Sequence, residues 1–343
     1  MFLVSDFSPW FFRAFAFCFG ALWGSFYNVA IYRWPREMSV VSPPSHCPGC
    51  GKPIEAWRNL PIVGYFLLKG RAACCGFKLS PRYALVEFLT AMLTVALVEH
   101  TVIATPPATP LWPAAIETLF YFFFLGGLVI ATFVDLDWME IPDEVSLPGA
   151  ALGLASVTWR HDMDATDAAL GAGAGYLLIQ VLFVWSYERI LGRRGMGEGD
   201  SKLLMMIGAF LGWKGALFAL VGGAVQGLIA AVVLLATGKS LVPDIPERPW
   251  LEDINAPMPK NLAEANALSA AAREARLAAT NGEASGDSST TDAPPSPAAE
   301  TGPEPESDGG LKMPYGPFLA LGAIEFFFFG DRITELFMQF MGR

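Results

Sequence analysis

Two acidic clusters, each directly beside a long apolar run, are the residues whose types and spacing could do chemistry. In "VDLDWMEIPDEV", Asp135 follows the run "FFFLGGLVIATFV", and Asp200 precedes "SKLLMMIGAFLG". A carboxylate at membrane depth is costly and usually faces a bundle interior or a water-filled cavity. Two converging carboxyls can share one proton, so that the ionised one accepts a proton from water while the neutral one donates to a carbonyl oxygen. Such a pair could hydrolyse a peptide bond.

The same residues allow other interpretations. Acids at span ends commonly mark only the membrane interface, and buried aspartates would equally serve a proton-coupled transporter. The stretch "GMGEGD" matches neither the nucleotide P-loop nor the dinucleotide fingerprint. Composition and spacing alone therefore leave a protease and a transporter open.

Three glycines precede the second aspartate in "RRGMGEGDSKLL". Glycine at 195, 197 and 199 allows positive φ and lets another chain approach the backbone closely. We therefore expect a turn here that admits an extended peptide beside Asp200.

Apolar helices must position these acids. The 343 residues are 53% hydrophobic and 16% charged, whereas soluble proteins carry roughly 25% charged residues. The sequence predicts an all-α polytopic membrane protein of about eight transmembrane helices, with lipid as a partner. The predicted spans are residues 11–32, 83–103, 114–134, 145–159, 168–190, 203–211, 215–236 and 317–329.

The distribution of Lys and Arg predicts the orientation. Residues 33–82 hold eight of these bases and the turn at 189–202 holds four, whereas the connections at 104–113 and 160–167 hold one between them. Basic loops stay in the cytoplasm, so both aspartates should lie at the cytoplasmic face. Residues 1–10 have no basic region, so we expect the first span to be retained.

The chain divides into five predicted segments. They are the first transmembrane helix (1–32), a cytoplasmic cysteine loop (33–82), a membrane core (83–240), an insert (241–311) and the last transmembrane helix with a tail (312–343). The insert holds 13 acids and four bases, so it accounts for most of the net charge of −10. It is poor in large apolar residues, which predicts a disordered, acidic cytoplasmic segment. The acidity therefore says nothing about the substrate, and we expect no nucleic-acid partner.

Six stretches resemble the type IV prepilin peptidases, bacterial inner-membrane aspartic proteases of the GxGD class. They are "GSFYNVAIYRWP" (24–35), "CPGC" (47–50), "SPRYALVEFLTA" (80–91), "DLDWMEIPD" (135–143), "GMGEGDSKLL" (195–204) and "YGPFLALGAI" (315–324). The resemblance implies that Asp135 and Asp200 are the catalytic pair. It also implies supporting roles for four residues of the same motifs: Gly197, Gly199, Asp137 and Asp143.

The same resemblance implies a substrate. Family enzymes cleave the N-terminal leader of type IV prepilins and type II secretion pseudopilins at the cytoplasmic face, after a glycine and usually before a phenylalanine. Many then methylate the new amino terminus with S-adenosylmethionine, an activity associated with the part up to the cysteine loop. The alternatives are a GxGD intramembrane protease with another substrate, a proton-coupled transporter and a catalytically idle assembly factor.

The cysteine loop predicts a structural zinc site. A reducing cytoplasm disfavours disulfides, and "CPGC" has the C-x₂-C spacing of a zinc half-site. The family often has a second C-x₂-C after "GR", whereas "GRAACCG" places Ala72 at the first of these positions and Cys75 at the second. We expect Cys47, Cys50 and Cys75 as ligands, with the extra Cys74 or His46 as the fourth. Proteolysis itself should need no metal.

Overall fold

The computed structural model describes residues 2–42, 44–47, 49–161, 163–192, 196–237, 267–272, 274–275 and 313–341. The chain forms two compact units, Met1–Ile245 with Pro314–Arg343, and Pro246–Met313. The paired aspartates and the cysteine loop both lie within the first unit. The predicted disordered insert lies outside the described residues, except for two short helical pieces at 267–272 and 274–275.

The described parts of the chain are helical and carry isolated β-bridges but no strand, which confirms the all-α prediction. The helices are α1 (Pro9–Arg33), α2 (Val63–Leu67), α3 (Arg82–Val98), α4 (Leu111–Trp138), α5 (Asp143–Ala155), α6 (Ala165–Ile179), α7 (Ser186–Leu191), α8 (Glu198–Thr237) and α9 (Gly316–Met341). π-helical turns at Glu99–Ile103 and Gln180–Trp185 continue α3 and α6.

Within the described residues, five helices are long and apolar enough to cross a membrane by length and composition. They are Pro9–Arg36, Arg82–Ile103, Leu111–Trp138, Ala165–Ile190 and Glu198–Thr237. The predicted spans 145–159 and 317–329 lie on α5 and α9, outside this set. With 13 residues, α5 is about 20 Å long, which is shorter than the ~30 Å hydrocarbon core. The count of eight spans therefore stays a prediction.

The helix α8 was predicted as two spans, and its backbone breaks between them. Gly212 has φ 68° and ψ −177° inside an otherwise helical run, a conformation that glycine adopts without a steric penalty. The buried Arg160 guanidinium donates to the carbonyl oxygens of Phe210 (2.7 Å) and Ala209 (3.1 Å) just before the break. The break therefore leaves these carbonyls partnered, and it ends the half of α8 that carries Asp200.

Small residues let α6 pack tightly against that first half of α8. A Cβ at Gly175 would lie 2.5 Å from the carbonyl oxygen of Leu204, and one at Gly171 would overlap the backbone of Gly208. Two glycines of "GAGAG" (171–175) thus pack closely, whereas a Cβ at Gly173 would meet nothing within 4 Å. Backbone-to-backbone contact of this kind is typical of helices in membranes. It fixes the helix that presents Asp200.

Candidate active site

Asp135 lies in the last turn of α4, where the helix ends in the bundle interior. Met139 takes the left-handed conformation (φ 53°) and donates its N–H to the carbonyl oxygen of Asp135 at 2.9 Å, which terminates the helix. The side chain is only 5% exposed. Its Oδ2 accepts the backbone N–H of Gly316, the first residue of α9, at 2.8 Å. The amino terminus of α9 therefore holds this carboxyl.

Asp200 lies in the first turn of α8 and is 9% exposed. Its Oδ2 accepts the backbone N–H of Gly197 at 3.3 Å. Negative charge is favoured at a helix amino terminus, where the backbone N–H groups have no intrahelical partner. One acid therefore sits at a helix end and the other at a helix start.

The helix ends that carry the two carboxyls meet at Ile141, a buried residue in the link between α4 and α5. A Cβ added at Gly199, beside Asp200, would lie 3.0 Å from Cβ of Ile141. A Cβ added at Gly316 would lie 3.2 Å from Cδ1 of Ile141 and 2.8 Å from Oδ2 of Asp135. The structure thus brings together the two acids that the sequence singled out.

Hydrogen bonding leaves part of each carboxyl available. Within the described residues, the bonds to Asp135 and Asp200 end on Oδ2 in both cases. Oδ1 of each side chain can therefore exchange a proton with a water molecule or a peptide carbonyl. A buried pair arranged in this way suits general acid–base hydrolysis.

Sequence reasoning missed the contribution of Tyr315 and Gly316 to this site. The hydroxyl of Tyr315 donates to the carbonyl oxygen of Leu220 at 2.6 Å, which fastens the start of α9 to α8. Burial and the negative charge of Asp200 raise the pKa of Tyr315. The available signal was "YGP" directly before the last predicted span.

The glycine turn differs from its prediction. Gly197 and Gly199 do not have positive φ, so the backbone does not use the freedom that glycine allows at these two positions, and Gly195 lies outside the described residues. Gly199 is needed for space, because a side chain would press on Ile141. Gly197 contributes its N–H to Asp200. The sequence predicted that a substrate peptide would approach this turn closely. In the structure, Ile141 of the chain itself approaches Gly199.

The two supporting acids lie in ion pairs beside the site. Arg82 donates its Nη1 to both carboxylate oxygens of Asp137, at 2.5 and 2.7 Å. This ion pair joins the end of α4 to the start of α3. Asp143 accepts Nζ of Lys202 at 2.6 and 2.7 Å, which joins the start of α5 to α8. Asp137 follows Asp135 by two residues, and Lys202 follows Asp200 by two residues. Each ion pair therefore ties the helix end that carries a buried aspartate to a neighbouring helix.

The four loop cysteines form one cluster. The Sγ atoms of Cys47, Cys50, Cys74 and Cys75 all lie within 4.8 Å of one another. The Cys47–Cys75 distance is 3.6 Å, the Cys50–Cys74 distance 3.3 Å and the Cys74–Cys75 distance 3.9 Å. The adjacent cysteines therefore both reach the cluster. His46 is not part of it, and its Nδ1 lies 3.0 Å from the carbonyl oxygen of Pro44.

Two similar turns present these thiols. Gly51 donates its N–H to the carbonyl oxygen of Cys47 at 2.9 Å, and Gly76 donates to that of Ala72 at 2.8 Å. Both glycines have positive φ, 68° and 73°, where a side chain would be strained. Each turn is closed by an antiparallel bridge, His46 to Pro53 and Arg71 to Lys78. Ala72 therefore occupies the position that corresponds to Cys47, and Cys74 supplies the fourth sulfur from inside the second turn.

The thiols differ in acidity. A backbone hydrogen bond from Lys52 and the neighbouring Cys74 thiol lower the pKa of Cys50 to about 7. Hydrogen bonding to Cys50 and Cys47 raises the pKa of Cys74 to about 12. The first thiolate of the cluster therefore forms readily, and its negative charge opposes the deprotonation of the next thiol. A bound cation would remove that opposition.

Comparison with known proteins gives consistent matches to one family. Residues 18–101 match the bacterial Peptidase A24 N-terminal domain, and residues 122–232 match the type IV leader peptidase family. A protein of Aeromonas salmonicida (strain A449) named prepilin leader peptidase/N-methyltransferase is 34% identical over 252 residues, 66% of this chain and 82% of the relative. A protein of the same name from Klebsiella pneumoniae is 36% identical over 213 residues, 60% of this chain and 88% of the relative. No solved structure matches the chain at a significant level.

Proposed function

The chain belongs to the type IV leader peptidase family, and we propose that it is a membrane aspartic endopeptidase that removes the N-terminal leader of type IV prepilins and type II secretion pseudopilins. The single observation that carries the proposal is that the helix ends bearing two buried carboxyls, Asp135 and Asp200, meet at Ile141. The relatives' printed names support the prepilins as substrates, whereas the pseudopilins rest on the resemblance of the sequence motifs alone.

The proposed reaction uses only water and these two side chains. The ionised carboxyl takes a proton from water as the oxygen attacks the carbonyl carbon of the scissile bond, while the neutral carboxyl gives its proton to the carbonyl oxygen. The tetrahedral diol then collapses, the C–N bond breaks, and the amine leaves with the proton that came from water. The carbonyl oxygen returns the other proton, so the pair ends as it began, with one proton between the two carboxyls.

We place the enzyme in the bacterial inner membrane with this site at the cytoplasmic face. The bases of the cysteine loop and of the turn before α8 support this orientation. The two carboxyls lie at helix ends that adjoin these basic segments, where a prepilin leader at the cytoplasmic face could reach them.

We further propose methylation of the new amino terminus with S-adenosylmethionine as the second activity. It rests on the printed names of the relatives and on the match of residues 18–101 to the N-terminal domain of the family. The methyl group would pass from the sulfonium of the cofactor to the free amine, which exists only after cleavage. Cleavage must therefore come first.

The cysteine cluster fits a structural zinc ion. Zn–S bonds of about 2.3 Å place tetrahedral sulfurs roughly 3.8 Å apart, and the three Sγ pairs at 3.3, 3.6 and 3.9 Å lie near this value. Cys47, Cys50, Cys74 and Cys75 would hold the ion, which would stabilise a loop with little core of its own. A closed four-sulfur site leaves no position for substrate, so the role is structural.

The experiment is to incubate the purified full-length protein in detergent with a prepilin, with and without S-adenosylmethionine, and to measure intact masses. We expect loss of the leader in both samples and a gain of one methyl group only with the cofactor. Leader loss without methylation would reject the second activity alone. An uncut prepilin, beside a relative that cuts it, would favour a protease with another substrate; solute flux coupled to protons would favour a transporter.

A further inference from the structure

Residues 57–71, "WRNLPIVGYFLLKGR", form a segment of the cysteine loop with an unusual surface, here called the 57–71 segment. It carries three bases and no acid. Five of its large apolar side chains are exposed, among them Phe66 at 68% and Leu67 at 69%; the others are Trp57, Leu60 and Val63. A cluster of this kind on a cytoplasmic loop marks an interaction surface.

The segment lies beside α3, further along the helix axis than Arg82, the first residue of α3. The backbone N–H of Ile62 donates to Oε2 of Glu87 at 2.6 Å, and Glu87 is a buried residue of α3. Glu87 follows Arg82, the first residue of α3, by five positions, which places it about 7–8 Å along the helix. The helix α2, which begins at Val63, therefore starts at the depth of the second turn of α3.

The turn that enters α2 is held firmly in this place. Ile62 has φ 63° and ψ −58°, and the N–H of Val63 donates to the carbonyl oxygen of Pro61 at 2.6 Å. This γ-turn is rare and strained, particularly for a β-branched residue. Glu87 pairs with its central N–H, so the strained turn is anchored to α3 by a charge-assisted bond. The entry to α2 is therefore tied to α3 at Ile62.

We infer that the 57–71 segment docks on the phospholipid surface of the cytoplasmic leaflet. Interfacial segments bury their apolar face roughly 5–10 Å into the headgroup region, which agrees with the depth of Ile62 on α3. The exposed Lys69 and Arg71 stand at the end of the segment, where they meet anionic headgroups. Trp57 at the other end suits the same interface. A segment with bases and no acids on an apolar face favours lipid over a protein partner.

This docking gives the cysteine cluster a fixed position. Residues 57–71 connect the first cysteine turn to the second, so anchoring them to lipid holds both turns close to the membrane surface. The inference concerns the loop alone and does not depend on the proposed peptidase activity. Cleavage can therefore be measured separately on every variant, and a failure of one does not imply a failure of the other.

The test replaces single residues with the photoreactive p-benzoyl-phenylalanine in the full-length protein, reconstituted in vesicles of phosphatidylglycerol and phosphatidylethanolamine. Position 66 or 67 should give phospholipid adducts by mass spectrometry. Position 77 is the matched control, because Phe77 is an exposed aromatic residue of the same loop but lies on the second cysteine turn. We expect adducts at 66 and 67 to exceed those at 77 about tenfold.

A second measurement checks the charge. The double variant Lys69→Gln with Arg71→Gln should lower lipid adducts at position 66 roughly tenfold in phosphatidylglycerol vesicles and should change them little in phosphatidylcholine vesicles. Equal lipid adducts at 66, 67 and 77 would overturn the inference. So would adducts from 66 and 67 that join only protein when the same variants are illuminated in whole cells, and that result would assign the surface to a protein partner.

Discussion

The aspartate site and the cysteine cluster are built in opposite ways. Asp135 and Asp200 are buried, and three helices present them through backbone bonds and close glycine contacts. The cysteines lie on two turns, and three of the four are exposed. Carboxyls that must share a proton need a dehydrated site that only a helix bundle supplies. Thiols that bind a metal need only mutual proximity, because the metal itself supplies the stabilising free energy.

The largest expected effect is on the aspartate side of this comparison. Asp135→Asn or Asp200→Asn removes the shared proton, so leader cleavage should fall about 10³-fold or more, measured as initial rates by mass spectrometry. The fold should survive, because either change removes a buried charge. Asp167→Asn is the control, since Asp167 is an exposed acid of α6. Normal cleavage by either site variant would reject the assignment.

A smaller effect is expected where α9 meets the pair. In Gly316→Ala, the new Cβ would lie 2.8 Å from Oδ2 of Asp135, so the carboxyl must move and its bond to the N–H must lengthen. Misplacement of a reacting group by about 1 Å lowers the rate about 100-fold. We expect this loss in kcat more than in KM.

Gly330→Ala is the matched control on the same helix, because the atoms nearest to its Cβ would belong to the flexible side chain of Phe326, at 3.2 Å. If both variants cleave at the wild-type rate, the amino terminus of α9 does not position Asp135. If both lose activity together with thermal stability, the effect belongs to the packing of α9.

On the cysteine side, the prediction concerns metal content. Cys74→Ala should lower zinc affinity about 10–100-fold while leader cleavage changes less than about twofold, since the ion is structural. Adding Ala72→Cys should restore zinc, because Ala72 occupies the position that corresponds to Cys47 in the repeated turn. Metal analysis of purified protein and a zinc competition titration measure both. Unchanged zinc in Cys74→Ala would mean that three cysteines and another ligand suffice.

The same comparison shows what the sequence could and could not predict. The acids at 135 and 200 were found because a carboxylate beside an apolar run is rare and costly. The C-x₂-C spacing of Cys47 and Cys50 was found because zinc chemistry dictates it. Gly316 and Tyr315 were missed because their contacts join distant positions, Gly316 with Asp135 across 181 residues and Tyr315 with Leu220 across 95. No local pattern records such contacts.

Helix boundaries were predicted where one physical property decides them. The apolar runs gave the long helices, whereas the break in α8 depends on Gly212 and on a distant partner, Arg160. The sequence did not decide between Cys74 and His46 as the fourth ligand. The second turn bends enough at Gly76 that both neighbouring thiols reach the cluster. Long-range contacts and turn conformation therefore account for most of what the sequence left open.

The smallest effects are expected from the two ion pairs beside the aspartates. Double-mutant cycles with Arg82→Ala and Asp137→Asn, and with Lys202→Ala and Asp143→Asn, should give coupling in the free energy of unfolding of no more than about 1 kcal/mol, because all four groups are partly exposed. The Arg82–Asp137 coupling should be the larger, since Arg82 also donates to the carbonyl oxygen of Phe133 at 2.9 Å. Cleavage should fall only a few-fold in each single variant. If Asp137→Asn or Asp143→Asn instead abolished cleavage while Arg82→Ala and Lys202→Ala did not, that carboxyl would have a chemical role, and the separation between buried catalytic acids and paired supporting acids would have to be redrawn.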